Sequence, residues 1–366
     1  VLAKKTPMDA TKRILVLGAS TGYGLSTLIS AAFGCGAKSI GLAYERAAQP
    51  EKKRTATAGW YNMAAFARLA KEAGLEHHSV IGDAFSDETK DRVIDLIKET
   101  LGRVDTVIYS LAAPSRVDPE TGERYQSVIK PIGAPYRTKS VNLSSWQLEE
   151  AEIQPATEEE VAATVKVMGG EDWMRWMEAL AKAGVLADNC LTLAYDYVGP
   201  VITHPIYHDG SIGVAKADLL RTAEAIASAG LAKAHLSVNK AVVTQASAAI
   251  PAVPLYITLL FKTMKEMGIH EGCIEQMLRM FSKIDQNALG LDGEGRIRMD
   301  DWEMRPEVQA KVMADWDEVD DQNLTDLADI EGYQKDFAGL FGFGLDGVDY
   351  AADIDPAVEI PGALIL

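Results

Sequence analysis

The stretch Ile14-Leu15-Val16-Leu17-Gly18-Ala19-Ser20-Thr21-Gly22-Tyr23-Gly24 decides the fold of this chain. Four apolar residues predict a buried strand, and glycines follow at once at positions 18, 22 and 24. The residues over about 23–33 then predict an amphipathic helix. A phosphate can reach the backbone N–H groups at the start of such a helix because glycine has no side chain in the way. The stretch predicts a strand, a phosphate-binding loop and a helix, which is how a dinucleotide-binding fold begins.

Strand and helix patterns alternate through the first half of the chain. The predicted strands are 13–17, 39–44, one ending near 81–83, 104–109, 190–195 and 235–238. The predicted helices after the first are 60–73, 87–101, 158–167, 171–183 and 212–229. This alternation indicates an α/β fold, with a doubly wound parallel sheet of the Rossmann type.

The alternation breaks at 113–157, where Pro, Ser, Arg and Thr are frequent. We interpret this segment as a long insertion over the carboxyl edge of the sheet, where ligands bind. Residues 248–340 are mostly helical in pattern and form a C-terminal extension. We expect one extended Rossmann-type domain over 1–366. Its parts are a dinucleotide-binding core (1–112), the insertion (113–157) and a catalytic, substrate-covering part (158–366).

Composition narrows the possible functions. A net charge of −17 argues against a nucleic-acid binder, because phosphates need a basic surface. The three cysteines lack CxxC spacing and the six histidines are scattered, so we expect reduced thiols, a cytoplasmic location and no metal site. The uncharged stretch 242–261 contains two prolines, which favours a buried helix kinked near its start over a membrane span. The chain begins without a methionine, so we expect a truncated or processed N-terminus.

Tyr207 and Lys216 are the strongest catalytic candidates, with eight residues between them. A tyrosine beside a lysine can donate a hydrogen bond to a developing oxyanion, while the ammonium favours the ionisable phenol and holds a ribose. The pair is not specific by itself, since tyrosine and lysine occur this far apart in many chains. Tyr197, at the end of the fifth predicted strand, is placed to line the same pocket. The segment 270–276 contains His, Cys and Glu, but helical periodicity spreads them, so we expect it to be structural.

The ends of three predicted strands carry candidate cofactor contacts. Glu45 follows the second strand, where a carboxylate binds the adenosine ribose and repels a 2′-phosphate, so NADH is favoured over NADPH. Arg46 and the basic residues at 52–54 lie close in sequence and weaken that preference. Asp83-Ala84 and Leu111-Ala112 end the third and fourth strands, where this fold places the adenine and the nicotinamide ribose.

Sequence motifs run in order through essentially the whole chain. They are GASTGYG (18–24), GWYN (59–62), GDAFSD (82–87), YSLAAP (109–114), VKVMGGEDW (165–173), GSIGVAK (210–216), VVTQASAAIP (242–251), HEGCIEQM (270–277) and FGFGLDGVDY (341–350). Together they resemble the trans-2-enoyl-CoA and enoyl-acyl-carrier-protein reductases of the FabV type. The chain departs from that family at Val214, where lysine is frequent, and over 46–58, which is divergent and basic.

The resemblance implies NADH-dependent reduction of the C2=C3 double bond of trans-2-enoyl thioesters in fatty acid synthesis. The substrate is enoyl-CoA, enoyl-acyl-carrier protein or both, and we expect a monomer. The resemblance also implies that Tyr207 and Lys216 are catalytic and that Tyr197 contacts the substrate. The cofactor contacts that it implies are Gly18, Ala19, Ser20, Thr21, Gly22, Tyr23, Tyr44, Glu45, Asp83, Ala84, Leu111, Ala112, Lys216, Val242, Val243 and Thr244.

Two other functions stay open. The glycine spacing at 18–24 is also that of short-chain-dehydrogenase-like enzymes, so a carbonyl reductase acting on a ketone or an alcohol is one alternative. Such enzymes have three residues between the tyrosine and the lysine, which argues against it. The second alternative is an NADH-sensing module without turnover. The presence of both Tyr207 and Lys216 argues against that, because a sensor needs neither.

Overall fold

The computed structural model describes residues 2–5 and 7–366. The strands are β1 (Arg13–Leu17), β2 (Lys38–Ala43), β3 (His77–Ile81), β4 (Val104–Tyr109), β5 (Ser115–Val117), β6 (Arg124–Gln126), β7 (Tyr136–Val141), β8 (Leu148–Ile153), β9 (Leu186–Asp196), β10 (Lys233–Val238), β11 (Ile297–Arg298) and β12 (Leu364–Ile365). The α-helices are α1 (Gly22–Ile29), α2 (Ala58–Glu72), α3 (Asp87–Leu96), α4 (Glu158–Met168), α5 (Glu171–Lys182), α6 (Ser211–Ser228), α7 (Gln245–Ala248), α8 (Val253–Glu266), α9 (Cys273–Asp285), α10 (Pro306–Glu318), α11 (Leu324–Leu327) and α12 (Ile330–Gly339). Short 3₁₀ helices cover Ala3–Lys5, Pro50–Lys52 and Val201–Thr203, and π-helical turns cover Ser30–Gly34 and Ile97–Leu101.

Eight of the strands form one sheet in the order β11-β10-β9-β4-β1-β2-β3-β12. Every neighbouring pair is parallel; in β1, for example, Leu15 lies opposite Ile40 of β2 and Val107 of β4. The chain builds outward from β1 in one direction and from β4 in the other. The crevice between their carboxyl ends is the position where ligands bind in sheets of this kind.

Helices cover both faces of this sheet. Side chains alternate across a strand, so Ile14 and Val16 of β1 enter one core while Leu15 and Leu17 enter the other. The first core includes apolar residues of α1, α2 and α9, and the second includes those of α3, α5 and α6. A strand buried on both faces is apolar throughout, which is why β1 has no polar alternation in sequence.

The α/β prediction and the doubly wound parallel sheet are confirmed, and the predicted strands and helices recur within a few residues. Two strands of the eight-stranded sheet were missed. The pairs Ile297–Arg298 and Leu364–Ile365 are too short to show a periodic pattern, and they extend the sheet at its two edges. The predicted helix ends at 33 and 101 correspond to the π-helical turns that continue α1 and α3.

The insertion forms two antiparallel hairpins, β5 with β6 and β7 with β8. Beside it, α8 is the centre of a third apolar core that includes residues of α10 and α12. The kinked helix predicted for 242–261 is wrong in one respect. The main helix begins only at Val253, with Pro254 in its first turn, where proline's missing N–H costs nothing. Among the described residues, no helix combines the length and apolar character needed to cross a bilayer.

Candidate active site

The loop after β1 is folded so tightly that two of its glycines cannot be replaced. A Cβ atom on Gly24 would lie 1.8 Å from the Gly18 carbonyl oxygen, and one on Gly18 would lie 2.1 Å from the Ser110 carbonyl oxygen. The N–H groups of Gly18 and Ala19 both donate to the Leu42 carbonyl at 2.9 Å. The loop is held between the ends of β1, β2 and β4, at the crevice of the sheet.

The start of α1 is open toward this crevice. Thr21 precedes the helix and its side chain caps no N–H group. Gly22 has φ +51°, and a Cβ atom placed on it would meet only the Thr244 methyl group, at 4.0 Å. Uncapped N–H groups and the positive end of the helix dipole form an anion site. The arrangement suits a phosphate group.

A cleft of about 1130 Å³ extends from this loop. Most of the predicted cofactor residues line it: Gly18, Ser20, Thr21, Gly22, Tyr23, Tyr44, Glu45, Leu111, Ala112, Lys216, Val242, Val243 and Thr244. Ala19 is fully buried behind the loop. Asp83 and Ala84 are not part of the lining: Asp83 accepts from the Phe85 N–H at 3.0 Å, and the Ala84 carbonyl accepts from Trp176 Nε1 at 3.0 Å.

The Glu45 carboxylate is fixed above the loop. Ser20 Oγ donates to Glu45 Oε1 at 2.6 Å, and Asn62 Nδ2 donates to the Ser20 carbonyl at 3.0 Å. Gly59 leaves the space that the carboxylate fills, since a Cβ atom there would lie 2.0 Å from Glu45 Oε1. The GWYN motif supports the carboxylate through Gly59 and Asn62.

Lys216 lies on α6 with its side chain 18% exposed, at the cleft wall. Its Nζ donates to the Tyr195 carbonyl at 2.8 Å and lies 3.9 Å from Asp196 Oδ1. Burial lowers the pKa of Lys216, and the Asp196 carboxylate opposes that shift. The ammonium is held in one place by the end of β9 and has donors left for a ligand.

Tyr207 lies in the turn before α6, where its N–H donates to the Thr203 carbonyl at 3.0 Å. Its ring packs edge-to-face against Tyr197, with 4.9 Å between the ring centres. Burial raises the pKa of both phenols, so both stay protonated at neutral pH and act as hydrogen-bond donors. The Tyr197 hydroxyl is buried and has no hydrogen-bond partner among the described residues. Both rings pack against the core around α8.

The cleft has walls that the sequence did not predict. Tyr195, Gln245 and Ala246 line it, as do residues 272–275, 335–336, 339–340 and 343–345. The segment 270–276 was expected to be structural, and the structure places four of its residues at the cleft. The motifs VVTQASAAIP, HEGCIEQM and FGFGLDGVDY contain some of these residues, but none of the three has a spacing tied to a known chemistry.

His204, His208 and Asp209 lie on the turn that carries Tyr207, with ligand atoms within 4.8 Å of one another. One ring nitrogen of each histidine is already engaged in a hydrogen bond. His208 Nδ1 lies 2.6 Å from Asp209 Oδ1, and His204 Nε2 lies 3.2 Å from the Gly199 carbonyl. These hydrogen bonds fix the turn.

Three family profiles match the chain. Residues 54–284 match the trans-2-enoyl-CoA reductase catalytic region, and residues 1–50 match the NAD(P)H binding domain of trans-2-enoyl-CoA reductase. Residues 291–354 match a profile described as the enoyl reductase FAD binding domain.

Sequence relatives cover nearly all of the chain. The trans-2-enoyl-CoA reductase [NADH] of Ruminiclostridium cellulolyticum is 55% identical over 97% of this chain and 90% of its own length. The enoyl-[acyl-carrier-protein] reductase [NADH] of Aliivibrio salmonicida is 53% identical over 96% of this chain and 89% of its own length.

Solved structures show the same architecture. The Clostridium acetobutulicum trans-2-enoyl-CoA reductase in complex with NADH has a TM-score of 0.95 and 43% identity, covering 98% of this chain and 92% of that one. The Treponema denticola trans-2-enoyl-CoA reductase in complex with NAD has a TM-score of 0.92 and 45% identity, covering 97% of this chain and 89% of that one.

The segment 291–354 does not fit FAD in this structure. It carries 18 acidic and 5 basic residues, which is unfavourable for a pyrophosphate. Arg296 and Arg298 are both engaged by carboxylates within the segment. Its helices α10 and α12 pack on α8, and the segment contains no strand that leads through a glycine loop into a helix.

Proposed function

The chain belongs to the trans-2-enoyl-CoA reductase family, and on that basis we propose that Tyr207 and Lys216 perform its chemistry. The enzyme uses NADH to reduce the C2=C3 double bond of trans-2-enoyl thioesters. The observation that carries the assignment of Lys216 is a single cleft, which joins the phosphate loop to Lys216 and Val242–Thr244. Tyr207 and Tyr197 lie outside the lining of this cleft, so their assignment rests on the family's tyrosine–lysine pair.

We place the cofactor along this cleft. The pyrophosphate lies at the uncapped start of α1, and the adenosine ribose hydrogen-bonds Glu45. The nicotinamide end lies among Leu111-Ala112, Lys216 and Val242–Thr244, which line one cleft with the loop. Ala19 is buried behind the loop, and its N–H group anchors the loop to the Leu42 carbonyl. Asp83 and Ala84 remain predictions, since the cleft does not reach them.

Bound NADH supplies the hydride that reaches C3 of the substrate. Negative charge then develops on the thioester oxygen, and Tyr207 donates its hydroxyl hydrogen bond to that oxygen. A phenol with a raised pKa keeps its proton for this purpose. Lys216 holds the nicotinamide ribose and contributes positive charge, while Asp196 and the Tyr195 carbonyl fix its position. Protonation of C2 completes the reduction.

The acyl chain needs an apolar wall, and α8 is placed to supply it. Tyr197 and Tyr207 pack against the core that contains Ile250, Ile257 and Phe261. We propose that Tyr197 orients the thioester and that the start of α8 contacts the acyl chain. Both acyl-CoA and acyl-carrier-protein thioesters are proposed substrates, because relatives of each name match the chain almost equally well.

We also propose a cytoplasmic monomer built as one reductase domain. The three cysteines are free, which supports a reducing compartment. The sheet takes its strands from residue 13 to residue 365, which supports one domain. Light scattering on a size-exclusion column measures the oligomeric state.

A steady-state assay tests the proposed reaction. Crotonyl-CoA and acetoacetyl-CoA are compared as oxidants of NADH, with NADPH in parallel. We expect oxidation with crotonyl-CoA and little with acetoacetyl-CoA. Faster turnover of acetoacetyl-CoA would indicate a carbonyl reductase. Tight NADH binding with no turnover of either substrate would indicate a sensor.

A further inference from the structure

Two fully buried ionisable side chains hold the backbone just before the nicotinamide end of the cleft. Lys240 is 1% exposed and Glu303 is 0% exposed. Lys240 Nζ donates to the Ala241 carbonyl at 2.8 Å, and Glu303 Oε2 accepts from the Ala241 N–H at 2.8 Å. Both backbone polar groups of Ala241 are bound by a buried ionisable group. Val242, the next residue, lines the cleft.

The same segment is tied to two other elements. The Lys240 N–H donates to Gln276 Oε1 of α9 at 2.9 Å, and the Lys240 carbonyl accepts from the Tyr23 hydroxyl of α1 at 2.7 Å. Glu303 Oε1 accepts from the Tyr256 hydroxyl of α8 at 2.6 Å. Residues 240–241 are fixed from α1, α8, α9 and the segment before α10.

Stability alone does not account for this arrangement. Burial of an ammonium or a carboxylate is costly, and apolar side chains of similar size would fill the space at less cost. Lys240 and Glu303 are not within 4.0 Å ion-pair distance of each other, and the Lys240 ammonium lies 4.6 Å from the centre of the Phe261 ring. What the two groups share is the Ala241 backbone.

We propose that Glu303 and Lys240 are positioning residues that hold Ala241, and through it Val242–Thr244, in the conformation that receives the nicotinamide end of NADH. The inference rests on the proposed placement of the nicotinamide. It adds two residues that touch neither cofactor nor substrate and act through the backbone of the segment that does.

The charge on Glu303 gives this clamp a pH dependence. Burial raises the pKa of Glu303 to about 7, while Lys240, the Tyr256 hydroxyl and the Ala241 N–H lower it and Asp300 raises it. Tyr23 and Tyr197 also face the Glu303 charge, which raises the pKa of each. The ionised carboxylate accepts both of its hydrogen bonds, so the clamp is complete above pH 7 and weakens below it.

The test is the dissociation constant of NADH, followed by fluorescence between pH 6 and pH 8.5. If only the ionised clamp binds well, the wild-type constant rises up to about tenfold from pH 8 to pH 6, in proportion to the ionised fraction. Glu303→Gln removes the titration, so its constant should be flat over this range. Burial lowers the pKa of Lys240, while Glu303, Glu271, Cys273 and Asp336 oppose that shift. Lys240→Met removes the group that lowers the pKa of Glu303, so the inflection of this variant should move to higher pH.

Asp105→Asn is the matched control. Asp105 pairs with Arg13 at 2.8 Å at the amino ends of β4 and β1, away from the cleft, so its loss should leave the wild-type inflection in place. If Glu303→Gln does not fold, Tyr256→Phe tests the same point. The hydrogen bond from the Tyr256 hydroxyl lowers the pKa of Glu303, so its loss should move the inflection in NADH binding to higher pH.

Val243→Trp separates this inference from the cofactor placement. Unchanged NADH binding in Val243→Trp would show that the nicotinamide does not lie against this segment. Weakened binding in Val243→Trp, together with wild-type pH dependence in Glu303→Gln, would overturn the clamp alone. The clamp would also be overturned if the pH dependence of NADH binding in Lys240→Met had the same inflection as in the wild type.

Discussion

At the scale of single residues, burial shifts the pKa values of Tyr207 and Lys216 in opposite directions. Burial raises the pKa of the phenol, so Tyr207 is a neutral donor, and burial lowers the pKa of the lysine. The Asp196 carboxylate, 3.9 Å away, opposes the lowering of the Lys216 pKa. In the proposed mechanism the phenol donates to an oxyanion and the lysine side chain binds a ribose.

Loss of the Tyr207 hydroxyl should therefore affect the transition state most. Tyr207→Phe is expected to lower kcat by about 10²–10³, the usual cost of one oxyanion donor, with little change in NADH affinity. Tyr197→Phe is the control and should lose less, since that phenol is assigned to orientation. Single-turnover kinetics and NADH titration check both. A Tyr207→Phe enzyme with more than about a tenth of wild-type kcat would transfer the donor role to Tyr197.

Glu45 should set the preference for NADH. We expect a higher wild-type kcat/KM with NADH than with NADPH, because a 2′-phosphate would meet the carboxylate that Ser20 holds at 2.6 Å. Glu45→Ala should lower the ratio of kcat/KM with NADH to kcat/KM with NADPH. Gly59→Ala should also lower this ratio, because the new Cβ atom displaces the Glu45 carboxylate. Glu51→Ala removes an exposed carboxylate nearby and should leave the ratio unchanged. Equal wild-type efficiency with both cofactors would contradict this role.

Glu303 should destabilise the folded enzyme in alkaline solution. Its folded pKa of about 7 lies above the ordinary value of 4.5, so folding favours the protonated form. The contribution of this group to the free energy of unfolding is fully present below its unfolded pKa and is lost as pH rises through about 7. Glu303→Gln should therefore raise Tm more at pH 8 than at pH 5, measured by calorimetry. Glu307→Gln, an exposed control on α10, should show no such difference.

At the scale of helices and strands, what could be predicted follows from how each element is buried. β1 is apolar from Ile14 to Leu17 because those residues are buried on both faces of the sheet, and the glycines after it mark the loop. β11 and β12 have two residues each, so only their neighbours in the sheet define them. The start of α8 was misplaced because Pro254 allows two readings: it kinks a helix or begins one. Only the fold decides between them.

The α8 element carries a prediction of its own. Ile257 is fully buried in the core that Tyr197 and Tyr207 touch, so Ile257→Ala should enlarge the acyl pocket and shift kcat/KM toward longer enoyl-CoAs. Ile226→Ala deletes the same group from a fully buried site of α6 in a different core and should leave the preference unchanged. The measurement is kcat/KM for a series of enoyl-CoAs of increasing chain length. An unchanged preference in Ile257→Ala would place the acyl chain elsewhere.

At the scale of the whole molecule, the cleft gathers residues from 18 to 345. The positions at strand ends could be anticipated, because parallel strands bring their carboxyl ends to one edge. Gly272, Cys273 and Phe343 could not, since they reach the cleft through the packing of α9 and of the segment after α12. The Lys240–Glu303 clamp was also hidden. Nothing in a local pattern relates a lysine after β10 to a glutamate beyond β11.

The pairing of β12 with β3 has a consequence during synthesis on the ribosome. Leu364 lies beside Val80 in the sheet, and the Leu366 N–H donates to the Ile81 carbonyl at 2.8 Å. At roughly 5–20 residues per second, β3 emerges about 15–60 seconds before the strand that covers it. For that interval its outer edge presents unpaired backbone groups, which is the surface on which chains aggregate.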